Sequence, residues 1–379
     1  MRGLGWIGLL LAVWASPALA MPVHPCLAAG ADCSLREIAS AAGVRIGAAA
    51  QPGFFGEPDY LPVLTREFNS ITAENQMKWP QIQPSEGVYD FAPADALVAV
   101  AQANDMRMRG HTLLWANPIR IPAWVNAAAD ADTLRGYLED HIRSVVGRYE
   151  DDVDAWDVVN EPLNNFGTTL YENVFHDLLG PGYIAEAFRI AHEVDPTAKL
   201  FLNEVLVETP GNARFDAFHD LVSDLLAQGV PIHGVGFQGH LINGVVDPTP
   251  EAFGAAVQAF ADLGLAVEIT ELDLAIGGTG PERLEIQRSK YYEFVKACLA
   301  ISACEGVTLW GFTDAHTWLD GTLGPGFSPL IFDEQYLPKP AYDGVRDALL
   351  ARLATHVPEP GPALLLAVAL VTAARRRTG

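Results

Sequence analysis

Two glutamates close short apolar runs 110 residues apart. Ala155-Trp156-Asp157-Val158-Val159-Asn160-Glu161-Pro162 carries the first, and Ala266-Val267-Glu268-Ile269-Thr270-Glu271-Leu272-Asp273 the second. A single glutamate at a strand end is most often a surface cap or an ion-pair partner. A pair at matching ends, one preceded by Asn160 and the other flanked by Asp273, suits another task. Two carboxyls facing one cleft can cleave a glycosidic bond. One stays protonated to assist the leaving oxygen while the other, ionised, attacks the anomeric carbon.

Such a pair needs a frame that brings both strand ends to one side. Candidate strands are Val44–Ala49, Ser70–Ala73, Arg107–Leu114, Ala155–Asn160, Lys199–Asn203, Gly234–Gln238, Ala266–Thr270 and Val307–Gly311, each brief, apolar and bounded by turn or polar residues. Helical spacing fills the gaps: 133–149, with Thr133 as its cap, 182–193 and 215–227. Eight strands with intervening helices predict an α/β fold, a (β/α)8 TIM barrel in a single catalytic domain. The two glutamates then lie three strand–helix units apart, at about 37 residues per unit, and both face the C-terminal end of the barrel. A doubly wound sheet is the competitor, but no glycine-rich nucleotide turn follows the first strand. Gly277-Gly278-Thr279-Gly280 does not open a helix and reads as a loop.

The 379 residues include 24 Lys+Arg and 47 Asp+Glu, a net charge of −23. That acidity argues against nucleic acid as a partner, since phosphate binding draws on lysine and arginine. The ends read as address labels. Arg2, the apolar run 7–14 and Ala18-Leu19-Ala20 predict a signal peptide over 1–20, too short to span a bilayer. Val357-Pro358-Glu359-Pro360, the apolar run 363–374 and Arg375-Arg376-Arg377 close the chain, an arrangement that holds its end on the cytoplasmic side of a membrane. Residues 1–20 and 358–379 hold four arginines and one glutamate; without them 20 basic and 46 acidic residues remain, a net −26. Export permits disulfides, and Cys26/Cys33 with Cys298/Cys304 is the simplest of three pairings. Neither pair has zinc-ligand spacing with histidines nearby, so neither a metal nor a cofactor is expected.

Two resemblances sharpen this reading. Trp156–Pro162 and Glu268–Asp273 resemble the signature strands of the family 10 glycoside hydrolases, the endo-β-1,4-xylanases. So do Phe68-Asn69, Thr72 through Glu74, Asn75, Met77, Lys78 and Trp79, Arg109–Trp115, Gly236–His240, Trp310–Asp314 with Trp318, and Pro338–Tyr342. The resemblance implies a retaining, endo-acting enzyme of xylan-type polysaccharide, with Glu161 as acid/base and Glu271 as nucleophile about 5 Å apart. It implies that Asn160 binds the sugar 2-hydroxyl, that His240 orients Glu271 with Asp273 behind it, and that Glu74, Asn75, Lys78 and Gln238 contact substrate. Trp310 and Trp318 offer flat faces to sugar rings, while His111 and Asp314 are structural. A disulfide before the eighth strand is common in the family. The Pro-Glu-Pro tail resembles the PEP-CTERM sorting signal of exosortase substrates. It implies an exported bacterial envelope or extracellular protein, exosortase-type machinery as partner and transient membrane association through the tail; a plain tail anchor is the alternative. The implied organisation is 1–20 signal peptide, 21–39 N-terminal segment with Cys26–Cys33, 40–355 barrel and 356–379 sorting tail.

Two stretches depart from the family pattern. Where the family continues its third strand as Trp-His-x-Gln-x-Pro-x-Trp, this chain reads Trp115-Ala116-Asn117-Pro118-Ile119-Arg120-Ile121-Pro122-Ala123-Trp124. The missing histidine binds sugar in the family, and Asn117 or Arg120 are the polar residues near its place. After the fifth strand, Asn-Asp-Tyr-Asn is replaced by Asn203-Glu204-Val205-Leu206. These changes keep two other readings open: a retaining β-glycanase of another or modified polysaccharide, and a barrel that binds polysaccharide without cleaving it.

Overall fold

The computed structural model describes residues 24–278 and 280–355. The predicted signal peptide and sorting tail lie outside these residues. The strands are β1 (Arg45–Ala50), β2 (Ser70–Ala73), β3 (Arg107–Trp115), β4 (Ala155–Asn160), β5 (Lys199–Glu204), β6 (Gly234–Phe237), β7 (His240–Ile242), β8 (Ala266–Ala275) and β9 (Cys304–Leu309). Each of β1 to β5 pairs in parallel with the next, β6 pairs with β8, β8 with β9, and β9 returns to β1. The eight-stranded parallel barrel is therefore closed, and every strand is nearly or wholly buried, as parallel strands covered by helices require.

Helices follow the strands in turn, among them Ala92–Ala103, Ala131–Arg148, Tyr183–Val194, Ala213–Ala227 and Pro281–Leu299. Three details correct the sequence reading. The helix after β3 is capped by Asp130, whose carboxylate accepts from Thr133 N; Thr133 lies inside the first turn. Gly277, Gly278 and Gly280 lie outside helix and strand, as a loop, but Gly280 is also the N-cap of the helix that starts at Pro281. Finally, β8 does not stop at Glu271. It continues to Ala275 because the chain bends at Gln238-Gly239 and resumes as β7, which pairs with Asp273–Ala275.

The two expected disulfides are present. Cys26–Cys33 and Cys298–Cys304 have Cα separations of 5.7 and 5.5 Å, the ordinary span of such a bridge. The barrel axis carries buried charge. Arg109, from β3, donates to Asp157 of β4 and to Glu268 of β8, and Glu268 also pairs with Arg45 of β1. His111 Nδ1 lies 2.9 Å from Asp157 Oδ2, so His111 is built into this ladder below the cleft. Removing one partner of such a pair would leave a buried charge uncompensated.

Candidate active site

Register brings the polar strand ends together. Asn160 of β4 lies level with Asn203 of β5, and Asn203 with Gly236 of β6. The absence of a side chain at Gly236 is required: a Cβ there would lie 2.1 Å from Asn203 Oδ1 and 2.7 Å from Thr270 Cγ2. Glu161, just past β4, has φ 50°, a left-handed conformation that costs a non-glycine residue about 1–3 kcal/mol. Its amide still donates to Asn203 O at 2.9 Å, which holds the strained backbone against β5.

A continuous set of hydrogen bonds joins the two glutamates. Gln238 Nε2 donates to Glu161 Oε1 at 2.9 Å and to Asn160 Oδ1 at 3.3 Å. Asn203 Nδ2 donates to Asn160 Oδ1 at 2.8 Å and to Glu271 Oε1 at 2.7 Å. Thr270 Oγ1 donates to Asn203 Oδ1 at 2.7 Å, which fixes the Asn203 amide in that orientation. Because Asn160 Oδ1 accepts twice, the Asn160 NH2 is turned away from these partners and is available to a ligand hydroxyl. The second oxygen of Glu161 accepts from Trp115 Nε1 at 2.9 Å.

On the other side, His240 Nε2 is 3.3 Å from Glu271 Oε2, and its Nδ1 is 3.0 Å from Asp273 Oδ2. Asp273 also accepts from Trp318 Nε1 at 2.7 Å. Burial alone would lower the His240 pKa, but the charge of Asp273 and then the contacts to Glu271 push it up to about 10. The imidazole is thus a cation at neutral pH. Burial would raise the Glu271 carboxyl, yet the field of His111 and the bond from His240 outweigh it and hold it below the usual glutamate range. Glu271 is therefore an ionised carboxylate in a buried site, the state a nucleophile needs.

Glu74 is buried beside this centre, and burial raises its pKa above the ordinary value. Lys78 donates to Asn75 Oδ1 at 2.9 Å, and its ammonium lies 5.1 Å from the Trp115 ring and 5.6 Å from that of Trp310. Trp310 is buried and stands edge-on to His111 and His240, so most of its surface is spent on packing. Trp318 is 38 % exposed and packs tilted against His240, with ring centroids 4.9 Å apart. Asp314 is tied to Lys339 at 2.7 Å and to Leu330 N, away from the two glutamates. The structure thus gathers Asn160, Glu161, Gln238, His240, Glu271 and Asp273 into one network, with Glu74, Asn75 and Lys78 along its wall.

Two participants were not singled out in the sequence. Asn203 drew notice only as part of the altered 203–206 stretch, although its signal was present: like Glu161, it is a polar residue closing an apolar strand. Trp115 stood in a matching motif, but its bond to Glu161 depends on how β3 and β4 curve together. The 204 position also acquires a meaning. Glu204 is fully buried against Arg214 at 2.7 Å, and Arg214 in turn donates to Asn164 O and Gly167 O. This pair braces the loop that follows Glu161.

A closed (β/α)8 barrel with two hydrogen-bonded carboxyls at its C-terminal mouth, one strained at a strand end and one held ionised by a histidine cation, defines a glycoside-hydrolase architecture. Residues 34–348 match Glycosyl hydrolase family 10. The chain is 37% identical over 346 residues to endo-1,4-beta-xylanase B of Thermotoga neapolitana, covering 89% of this chain and 98% of that protein. It is 42% identical over 299 residues to a beta-1,4-xylanase of Dictyoglomus thermophilum, covering 75% and 82%. The structure of xylanase 10B from Thermotoga petrophila in complex with xylobiose superposes with a TM-score of 0.80 at 36% identity, covering 85% of this chain and 99% of that one. The protein belongs to glycosyl hydrolase family 10.

Proposed function

We propose that this protein is an endo-acting retaining hydrolase of β-1,4-xylosidic bonds in xylan-type polysaccharide. The observation that carries the reading is the Glu161–Gln238–Asn160–Asn203–Glu271 hydrogen-bond chain, flanked by the His240 cation. In the first step a Glu271 oxygen attacks the anomeric carbon while protonated Glu161 gives its proton to the departing glycosidic oxygen. In the second, ionised Glu161 takes a proton from water, the water attacks the anomeric carbon, and Glu271 leaves. Asn160 NH2 donates to the sugar 2-hydroxyl as positive charge develops on the ring. His240 stabilises Glu271 both as attacking and as leaving carboxylate. Glu74, Asn75, Lys78, Gln238, Trp310 and Trp318 are assigned to substrate binding, and His240 and Asp273 to positioning.

The test is incubation of residues 21–357 with a panel of β-linked polysaccharides and assay of new reducing ends. Wild type should cut xylan internally, and Glu271→Ala should not. Glu161→Ala should slow poor leaving groups far more than activated aryl ones; equal loss on both overturns its acid role. Ala116, fully buried where the family carries histidine, favours a second reading in which another β-linked polymer is the better substrate. The panel separates the two. Absence of cleavage of every polymer, with binding retained, would instead favour a non-catalytic carbohydrate-binding barrel.

The same domain plan is proposed for the whole chain: signal peptide 1–20, N-terminal segment 21–39, barrel 40–355 and PEP-CTERM tail 356–379. Two disulfides support export to an oxidising compartment. Intact-mass analysis in an exosortase-bearing host should find both ends removed; a full-length mass refutes this plan.

A further inference from the structure

The loop after β3 carries a cation, Arg120, that pairs with no carboxylate among the described residues. Asn117 Oδ1 accepts from Ile119 N and opens a single 3-10 turn, Pro118–Arg120. This turn lays the Arg120 guanidinium over Trp115, 4.7 Å from the ring centroid. The same indole receives the Lys78 ammonium at 5.1 Å and bonds Glu161 through Nε1. Lys78 is accounted for: it donates to Asn75 Oδ1 and feels the charges of Glu271 and Glu74.

Arg120 differs from every other arginine among the described residues. The others donate to a carboxylate or to a backbone carbonyl. Arg120 is exposed and, among the described residues, makes no hydrogen bond or ion pair; its ring contact with Trp115 is its anchor. In a barrel with net charge near −26, surface carboxylates are abundant, so an arginine left without one is placed where its partner comes from outside. A guanidinium 4.7 Å over an indole spends no N–H on that contact, and its free N–H fork matches a carboxylate.

We infer that Arg120 binds the carboxylate of a uronic acid carried by the polysaccharide lying across Trp115, and so selects acid-substituted chains. This inference rests on the glycanase reading above. It places the specificity of this protein in the loop where Ala116 replaces the family's histidine.

The experiment compares kcat/KM on glucuronoxylan with that on the same polymer after its carboxyls are reduced to alcohols, for wild type, Arg120→Gln and Arg120→Lys. Wild type should favour the acidic polymer by about 5- to 10-fold at low ionic strength, and the preference should shrink as salt screens the pair. Arg120→Gln should bring the ratio to one or below, since the remaining surface repels the acidic chain, while Arg120→Lys should keep part of it. A wild-type ratio of one, or an Arg120→Gln loss that is equal on both polymers, overturns the inference; the latter would mark a prop for Trp115 or a sugar-hydroxyl contact. Affinity electrophoresis in gels holding each polymer gives the same comparison without catalysis. Failure to cut either polymer therefore refutes the glycanase reading while the retardation ratio still decides Arg120. Free glucuronate as competitor distinguishes recognition of the acid alone from recognition of the acid on its chain.

Discussion

Replacing Asp273 with asparagine removes one charge and almost no volume, which isolates the electrostatic role of the carboxylate behind His240. Asp273 Oδ2 lies 3.0 Å from His240 Nδ1, and its charge is the largest influence raising the imidazole to about 10 against the pull of burial. In Asp273→Asn, Glu271 alone opposes burial, so the imidazole should titrate near or below the ordinary 6.5. A rise from 6.5 to about 10 corresponds to at most about 5 kcal/mol, and cleft water reaching the 16 % exposed ring reduces this to about 3 kcal/mol. The sign follows from the raised folded-state value. Wild type holds the full stabilisation below pH 6.5 and loses it as pH climbs through about 10. The stability gap between wild type and Asp273→Asn should thus be widest at pH 5–6 and close progressively towards pH 10. Activity should follow, because a neutral imidazole no longer offers Glu271 the positive charge that helps hold it ionised. Ring NMR of His240 and urea melts at several pH values are the assays. An imidazole that titrates near 10 in both proteins, or a stability gap independent of pH, refutes the reasoning.

Other perturbations test the remaining network. Asn203→Ala removes a donor 2.7 Å from ionised Glu271, a charge-assisted bond of about 1.5–3 kcal/mol, so kcat should fall about 10- to 100-fold and the acid limb of kcat/KM should move upwards; an unmoved acid limb would exclude Asn203 from holding the nucleophile's charge. Gly236→Ala forces a Cβ into Asn203 and Thr270, and should lower both the urea midpoint and kcat, whereas Gly234→Ala, also tight but against Phe201 below the cleft, should affect stability alone. Burial pushes the Glu204 carboxyl up to about 8 even beside Arg214, so Arg214→Ala should cost about 1–3 kcal/mol at pH 6, from lost hydrogen bonds, and more above pH 8, where Glu204 must stay protonated or ionise without its cation, read by thermal melting. The double variant Arg214→Ala/Glu204→Gln should recover part of the loss above pH 8, and failure to do so would mean the loop carbonyls, not the ion pair, dominate.

What could be read in the sequence is what periodicity and strand ends carry. β2 and β4 coincide with their expected bounds, since each is a short apolar run between turns. The extension of β8 past Glu271 was not legible, because it depends on β7, which forms only after the chain turns at Gly239 with φ 74°. β9 begins earlier than expected for a similar reason: Cys304 enters the strand through its tertiary bond to Cys298 and its pairing with Val267. Glu161 and Glu271 stood out as a pair at matching strand ends, and His240 through the family resemblance. Asn203 did not, since an asparagine closing a strand is locally ordinary and only the barrel's closure brings its amide within reach of both Asn160 of β4 and Glu271 of β8.

The division between floor and rim explains how the altered loops coexist with an intact centre. Each of the two carboxyls proposed to act on substrate is held from two directions by other strands or by the residues just beyond them: Glu161 by Trp115 and Gln238, Glu271 by Asn203 and His240. None of these bonds passes through residues 116–121 or 205–206. Ala116 is buried with its carbonyl taken by Asn173 Nδ2 at 2.7 Å, so the loop there is closed by its own backing and does not lean on the histidine it lacks. Glu204 likewise found a partner in Arg214 and turned a changed strand end into a loop brace. Chemistry that depends on register is thereby insulated from recognition that depends on loops. The consequence is that substitutions at Arg120 should act on which chain is cut, while those at Asn203 or Asp273 should act on how fast any chain is cut, whatever its side groups.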